Sequence, residues 1–249
     1  SGSSFHHLSQ YGIAVSSQNG LVTGNTLSNL PSGIYFGSKG TVSGNTISDF
    51  TSNGIYSNGS ATLYTGNTVT RGLNAGTTGI DIWSGGGSAI GNTVSQAGTG
   101  IRIYGGVVAD NRIFGNSVAG ISGLNAVVRN NVIYSNGTGI DLTTNGVDNL
   151  IINNLVYGNA TGGIRTATNS GSAALHLIEN NTVYQQGAAA ITVSGSVQNT
   201  VLRNNIIWAD GAAGTGISVA ADSLRNYAGN YNDVYLTGGA KFGQWQGNS

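Results

Sequence analysis

The stretch Ser32–Asp49 reads S-G-I-Y-F-G-S-K-G-T-V-S-G-N-T-I-S-D. Ile34 and Phe36 alternate with Tyr35, the period of a strand with one buried face. Val42 opens a second short strand, and Ile47 belongs to a third beyond Gly44-Asn45. Three strands of two to five residues, separated by Gly and Asn bends, make one coil.

This unit recurs along the chain. Gly-Ile pairs stand at Gly12, Gly33, Gly54, Gly79, Gly100, Gly120, Gly139, Gly163 and Gly216, with Ala190-Ile191 in one place. Each is followed by an Asn: Asn25, Asn45, Asn67, Asn92, Asn111, Asn131, Asn154, Asn181, Asn205 and, at the end, Asn230. A fixed period of roughly 20–27 residues marks a solenoid. Strands this short bury nothing alone, whereas coils stacked at about 4.8 Å satisfy one another's backbone groups around a dry interior. Ten such coils would make a rod of roughly 45–50 Å. The predicted inward residues include Ile13, Val15, Val22 and Leu27 in the first coil; Ile55, Leu63 and Val69; Ile80, Ile82, Ile90 and Val94; Ile101, Ile103, Val108 and Ile113; Ile140, Leu142, Ile151 and Leu155; Ile191, Val193, Val201 and Ile206. The Asn residues are assigned a structural part: tolerance of a left-handed bend, and an amide ladder from coil to coil.

Composition removes several classes of function. Charged residues are 7% of the 249, nine basic against nine acidic, so no cationic field exists for nucleic acid or an anionic membrane. No Cys is present, which leaves no disulfide, thiolate metal site or Cys nucleophile. No run of 18 apolar residues could span a bilayer. The absence of Met gives the expectation of a processed or excised piece, with Ser1-Gly2 as a possible cloning remnant. Four glycosylation sequons, at Asn58, Asn136, Asn159 and Asn180, are what an Asn-, Ser- and Thr-rich chain gives by chance.

The pattern G-I-x-x-(loop)-V-x-x-N-x-(I/V) resembles the repeat of right-handed parallel β-helix proteins of the pectate-lyase-like superfamily, over residues 10–235. The resemblance implies an all-β fold: a right-handed, single-stranded parallel β-helix of about ten coils with three short strands each. The domain expectation is parallel β-helix repeats over residues 1–225, with residues 226–249 a non-repeat or capping segment cut from a longer chain. Asn230-Tyr-Asn-Asp-Val-Tyr and Phe242-Gly-Gln-Trp-Gln-Gly are similar to segments that close β-helices in large secreted bacterial proteins, and Tyr227, Tyr231, Tyr235, Phe242 and Trp245 could form an apolar cap. The architecture hosts lyases, hydrolases, epimerases, tailspikes and adhesins, so fold does not choose among them.

Enzymes of this architecture place substrate along one outer sheet, and the strand after each Gly-Ile is the counterpart here. Its outward positions are Ala14, Tyr35, Tyr56, Asp81, Arg102, Ser122, Asp141, Arg165, Thr192 and Ser218, with Trp83 and Tyr104 two residues further on. Tyr35, Tyr56, Asp81, Trp83, Arg102 and Tyr104 form the candidate glycan-binding face: aromatic faces on sugar rings, charges on hydroxyls or a carboxylate. The same residues serve equally as sheet cover and as register pairs, Asp81 with Arg102 and Asp141 with Arg165.

Catalysis asks for more. Glycosidases need two carboxyl groups about 5–10 Å apart, and Tyr56 and Arg102 flank Asp81. Alginate epimerases and related lyases carry a Tyr-Gly-Phe-Asp-Pro-His-like signature, of which Thr78-Gly79-Ile80-Asp81-Ile82-Trp83 keeps only Gly and Asp. No catalytic residue is therefore assigned. His176, the one internal His, is expected outward and solvated, near Arg203 and Asn153. No metal cluster or cofactor site is read: the calcium nonapeptide is absent, since no Asp follows Gly85-Gly86-Gly87 in its pattern. The inserts at 70–78, 143–149 and 166–173 are where specialised recognition would reside. The leading expectation is a structural or adhesive module of an extracellular, cell-surface or filament-forming protein, with polysaccharide and end-to-end self-association as partners. A polysaccharide-active lyase, epimerase or tailspike-like depolymerase is the alternative.

Overall fold

The computed structural model describes residues 2–7, 9–59, 61–83, 85–144, 148–168 and 175–245. Parts of the inserts 143–149 and 166–173 fall outside them. Every strand pairing is parallel, and each coil contributes strands to three faces. The first face holds the Gly-Ile strands, such as Ser32–Phe36; the second holds strands such as Gly40–Ser43; the third holds those following the ladder Asn, such as Thr46–Phe50. The first and second faces merge at Thr99–Ala109 and Ala119–Arg129, which run through the bend between them. Glycines with positive φ, Gly105, Gly106 and Gly123, make that continuous bend possible.

The interior is one dry aliphatic column, with Ile34, Ile55, Ile80, Ile101, Ile121 and Ile140 stacked in register and buried. The glycine before each Ile is a matter of space rather than backbone freedom. A Cβ on Gly33 would lie 2.5 Å from the Gly54 carbonyl oxygen and 2.6 Å from an Ile47 methyl; on Gly100, 2.5 Å from the Gly120 oxygen. At these glycines the coils pack so closely that a Cβ would collide, while one coil accommodates the buried Ala190 at the same place.

The amide ladder forms as the spacing predicts. Asn45 Nδ2 donates to Asn67 Oδ1 at 3.0 Å, Asn67 to Asn92 at 3.0 Å, Asn92 to Asn111 at 3.0 Å and Asn111 to Asn131 at 2.9 Å. The column starts at Asn25 and runs through Asn154, Asn181 and Asn205. Its next member is Asn232, not Asn230: Asn205 Nδ2 donates to Asn232 Oδ1 at 2.8 Å. The left-handed residue is also one place earlier than expected. Gly24, Gly44, Gly66, Gly91, Asp110, Asn130, Asn153, Asn180 and Asn204 take positive φ, and the following Asn turns its amide inward. A second, shorter amide column lies five residues on, where Asn116 donates to Asn136 at 2.8 Å and Asn136 to Asn159 at 3.1 Å.

Five predicted core residues are one position out of phase. Leu63, Leu155 and Ile206 are exposed, and Ile90 and Val201 only half-buried; Tyr64, Val156, Ile207, Ala89 and Leu202 take the interior places. Tyr64 fits because Val42 and Ala89 are its register neighbours, small side chains above and below a large one. His176 also faces in. It is 1% exposed, and its register neighbours are Asn149 and Thr200 rather than Asn153 and Arg203. Both ring nitrogens are without a hydrogen-bond partner. Burial pushes its pKa down to about 4, with Asp148 opposing weakly.

At the carboxyl end, Ala228–Asn230, Asp233–Thr237 and Lys241–Trp245 add a further set of three strands in register on the preceding coil. Residues 246–249 lie outside the description. Tyr227, Phe242 and Trp245 gather over this last coil, with ring centroids 6.2 and 6.3 Å from Trp245. They line a concavity of about 370 Å³ with Ile217 and Val234. Burial raises the Tyr227 phenol to about 12. Tyr231 is 89% exposed, and Tyr235 points out from the third face.

Candidate functional site

The outward column of the first face is continuous as predicted. Ala14, Tyr35, Tyr56, Asp81, Arg102, Ser122, Asp141, Arg165, Thr192 and Ser218 are consecutive register partners. The strands hold these side chains by period two: the Ile residues on either side point inward, so the residue between points outward.

Tyr11, Tyr35 and Tyr56 form a run of rings, with centroids 5.2 and 5.8 Å apart. The Tyr35 hydroxyl donates to Asn58 Oδ1 at 3.1 Å. Desolvation, and then the charge of Asp81, raise the pKa of Tyr56. Beyond Tyr56 the chemistry changes. Arg102 Nε donates to Asp81 Oδ1 at 2.8 Å, its Nη2 donates to Oδ2, and Trp83 Nε1 donates to the same Oδ2 at 3.1 Å. Asp81 is thereby 1% exposed despite its outward position. Hydrogen bonding to Asp81 holds the Arg102 guanidinium above its ordinary pKa. The guanidinium also lies 5.6 Å from the Trp83 ring centroid, a cation–π distance.

Trp83 stacks on Tyr104 at 4.6 Å and is half exposed. The six candidate residues thus divide into the Tyr35–Tyr56 run and, beside it, an Asp81–Arg102–Trp83 cluster with Tyr104 stacked on Trp83. Further along, Arg165 Nη1 meets Asp141 Oδ1 at 2.8 Å, both partly exposed. From Asp81 to Asp141 is three coil steps, roughly 14 Å, beyond the span of a glycosidase carboxyl pair.

The fold and this face define a parallel β-solenoid with a column of charged and aromatic side chains on one outer sheet. The chain belongs to the right-handed beta helix region family, whose model matches residues 32–176, and the model of the periplasmic copper-binding protein (NosD) matches residues 122–249. No curated protein matches the chain. Among solved structures it is similar to the A-module of the Azotobacter vinelandii mannuronan C-5 epimerase, at 13% identity and TM-score 0.68, over 96% of this chain and 80% of that one. It is also similar to the Dettilon tailspike protein, at 14% identity and TM-score 0.63, over 94% and 61%. A tailspike of an E. coli bacteriophage, in complex with a pentasaccharide, aligns at 14% identity and TM-score 0.55, over 96% and 56%. The chain therefore spans about 61% and 56% of the two tailspikes, and identities this low speak for the fold alone.

The copper in one family description finds no matching donor set here. The chain has neither Cys nor Met, and of its three His, His176 is buried singly among Asn149 and Thr200. His6 and His7 sit exposed at the first strand, their Nδ1 atoms 2.9 Å apart. Soft copper sites use Cys, Met and clustered His, and no group of three His, Cys, Asp or Glu converges among the described residues. No helix among them is long and apolar enough to cross a membrane.

Proposed function

We propose that this chain is a non-catalytic β-helical module that binds polysaccharide along the first face and lends a rigid shaft to a periplasmic or extracellular protein. One observation carries the reading: Asp81, the carboxylate at the centre of the face, is buried and held by Arg102 and Trp83. A carboxylate covered in this way, with both oxygens engaged by Arg102 and Trp83, is shielded from substrate and serves to orient its neighbours. Trp83 and the Tyr35–Tyr56 run remain accessible to sugar C–H faces and hydroxyls. The match to the periplasmic NosD model and the glycan-related neighbours are consistent with that ligand and location.

The test is affinity electrophoresis against the anionic polymers alginate and pectate, with parallel assays for new reducing and unsaturated ends. Saturable binding that weakens about tenfold in Trp83→Ala, without products, supports the reading. Product release by the wild type, or unchanged binding in Trp83→Ala, overturns it.

A further inference from the structure

The third face carries a second surface. In the early coils its outward positions are small and hydroxylic: Thr26, Thr46, Thr68 and Thr93 in one column, Ser28, Ser48, Thr70 and Ser95 in the next. From the strand Arg112–Phe114 onward, the same two columns change character. The second becomes Phe114, Tyr134, Tyr157, Tyr184, Trp208 and Tyr235, six aromatic residues in consecutive register. The first becomes Arg112, Val132, Leu155, Thr182, Ile206 and Asp233. Leu155, Ile206, Trp208 and Tyr235 are 40%, 54%, 42% and 59% exposed. Sheet and register are shared with the Ser and Thr coils, so stacking of coils does not require these aromatics.

The rings are not uniformly arranged. Phe114, Tyr134 and Tyr157 stack face to face at 5.0 Å with interplanar angles of 3° and 5°, and the Arg112 guanidinium lies 4.8 and 5.5 Å from the first two ring centroids and donates to the Tyr134 hydroxyl. At Trp208 the order breaks: its ring is turned 51° from Tyr184 and 72° from Tyr235. The indole N–H donates to Thr237 Oγ1 at 2.8 Å, and that hydroxyl donates to Asp210 Oδ1 at 2.8 Å. Trp208 is thus held in its turned pose, with Ile206 beside it.

The shape of the stripe selects its occupant. Six coils by two columns is roughly 24 Å by 10 Å, a few hundred Å² at most, whereas a stable protein–protein interface takes about 800 Å² from each partner. A second copy of this chain would be under-buried, while a linear polymer lying along the axis would fill the stripe. Charge narrows the choice. Between Arg112 at one end and Asp233 at the other, neither column contains a charged residue, so nothing offsets the desolvation of an anionic chain. We propose that the third face binds a neutral polysaccharide, with Trp208 as the stacking platform and the Tyr157 and Tyr184 hydroxyls as polar contacts.

This surface lies on a different sheet from Trp83, so the two can be tested separately. Wild type, Trp208→Ala, Ile206→Ser and Trp83→Ala would be compared by affinity electrophoresis in dextran, galactomannan and mixed-linkage β-glucan, with circular dichroism to check folding. Sedimentation velocity would run alongside. The proposal expects retardation in at least one neutral polymer, weakened about tenfold by Trp208→Ala, several-fold by Ile206→Ser, and little by Trp83→Ala. It is overturned if none of the three polymers retards the wild type, or if the loss follows Trp83→Ala instead. A concentration-dependent dimer abolished by Trp208→Ala would also overturn it, assigning the stripe to a second copy.

Discussion

Asn111→Ala is the most direct test of what holds the coils together. Asn111 Oδ1 accepts the Asn92 backbone N–H at 2.8 Å and the Asn92 side-chain amide at 3.0 Å, and its Nδ2 donates to the Ala89 carbonyl and Asn131 Oδ1, both at 2.9 Å. Truncation removes all four. Two neighbours keep alternatives: Asn131 Oδ1 still accepts the Asn111 backbone N–H, and Asn92 Nδ2 still donates to the Tyr64 carbonyl. The Asn92 N–H loses the partner it has here, inside a residue only 1% exposed. A stranded buried donor costs about 1–3 kcal/mol, and each of the three further lost bonds about 1 kcal/mol net, so the sum is about 4–6 kcal/mol. That is a large fraction of a typical domain's 5–15 kcal/mol. Asn111→Asp should be worse, because it sets carboxylate oxygens against the Ala89 and Asn131 oxygens. The assay is urea unfolding followed by far-ultraviolet circular dichroism. A broadened or split transition is allowed for, because a stacked array couples only nearest neighbours. A loss below about 1 kcal/mol in Asn111→Ala would refute the idea that the amide column, rather than the aliphatic shaft, fixes coil-to-coil register.

Two further outcomes follow from buried ionisable groups. His176 titrates near 4 when folded against 6.5 when free, so the unfolded chain binds the extra proton between those values. Stability is full above pH about 6.5, falls by about 3 kcal/mol as pH drops to 4, and is flat for this group below that; His176→Leu should flatten the pH dependence of the urea midpoint across that window. Arg102→Ala strands the Asp81 carboxylate with the Trp83 N–H as its remaining side-chain donor, and should cost roughly 2–3 kcal/mol. The pair Asp81→Asn with Arg102→Gln should recover most of it, and a double-mutant cycle with near-zero coupling would refute the lock.

The features legible in the sequence are those with one physical cause repeated in every coil. Gly before Ile follows from the missing space above it, and Asn from an inward amide, so each recurs and can be counted. The phase of the second and third strands could not be read in the same way. At Leu63-Tyr64, Ile90 beside Ala89, Leu155-Val156 and Ile206-Ile207, both adjacent residues are apolar, and alternation cannot say which faces in. Polarity alone points His176 outward, whereas Asn149, His176 and Thr200 form an inward polar column. The aromatic stripe has its own sequence signal: Arg-Ile-Phe, Val-Ile-Tyr, Leu-Val-Tyr, Thr-Val-Tyr, Ile-Ile-Trp and Asp-Val-Tyr each place an aromatic two residues after the first outward position.

That stripe and the Trp83 face share a physical origin in the division of labour within a coil. Inward positions are constrained by methyl-sized clearances and amide bonds, so they admit few residues. Outward positions repeat at the same spacing with no such constraint, and a column of them can become aromatic without touching the shaft. Binding along such a column needs only like residues in register, which the repeat supplies. Catalysis needs unlike residues brought together at one level, with a free carboxylate or imidazole. At its central carboxylate the chain does the opposite, burying Asp81 beneath Arg102 and Trp83. On the proposed reading, turnover at this face would first require Asp81 to be released from Arg102 and Trp83.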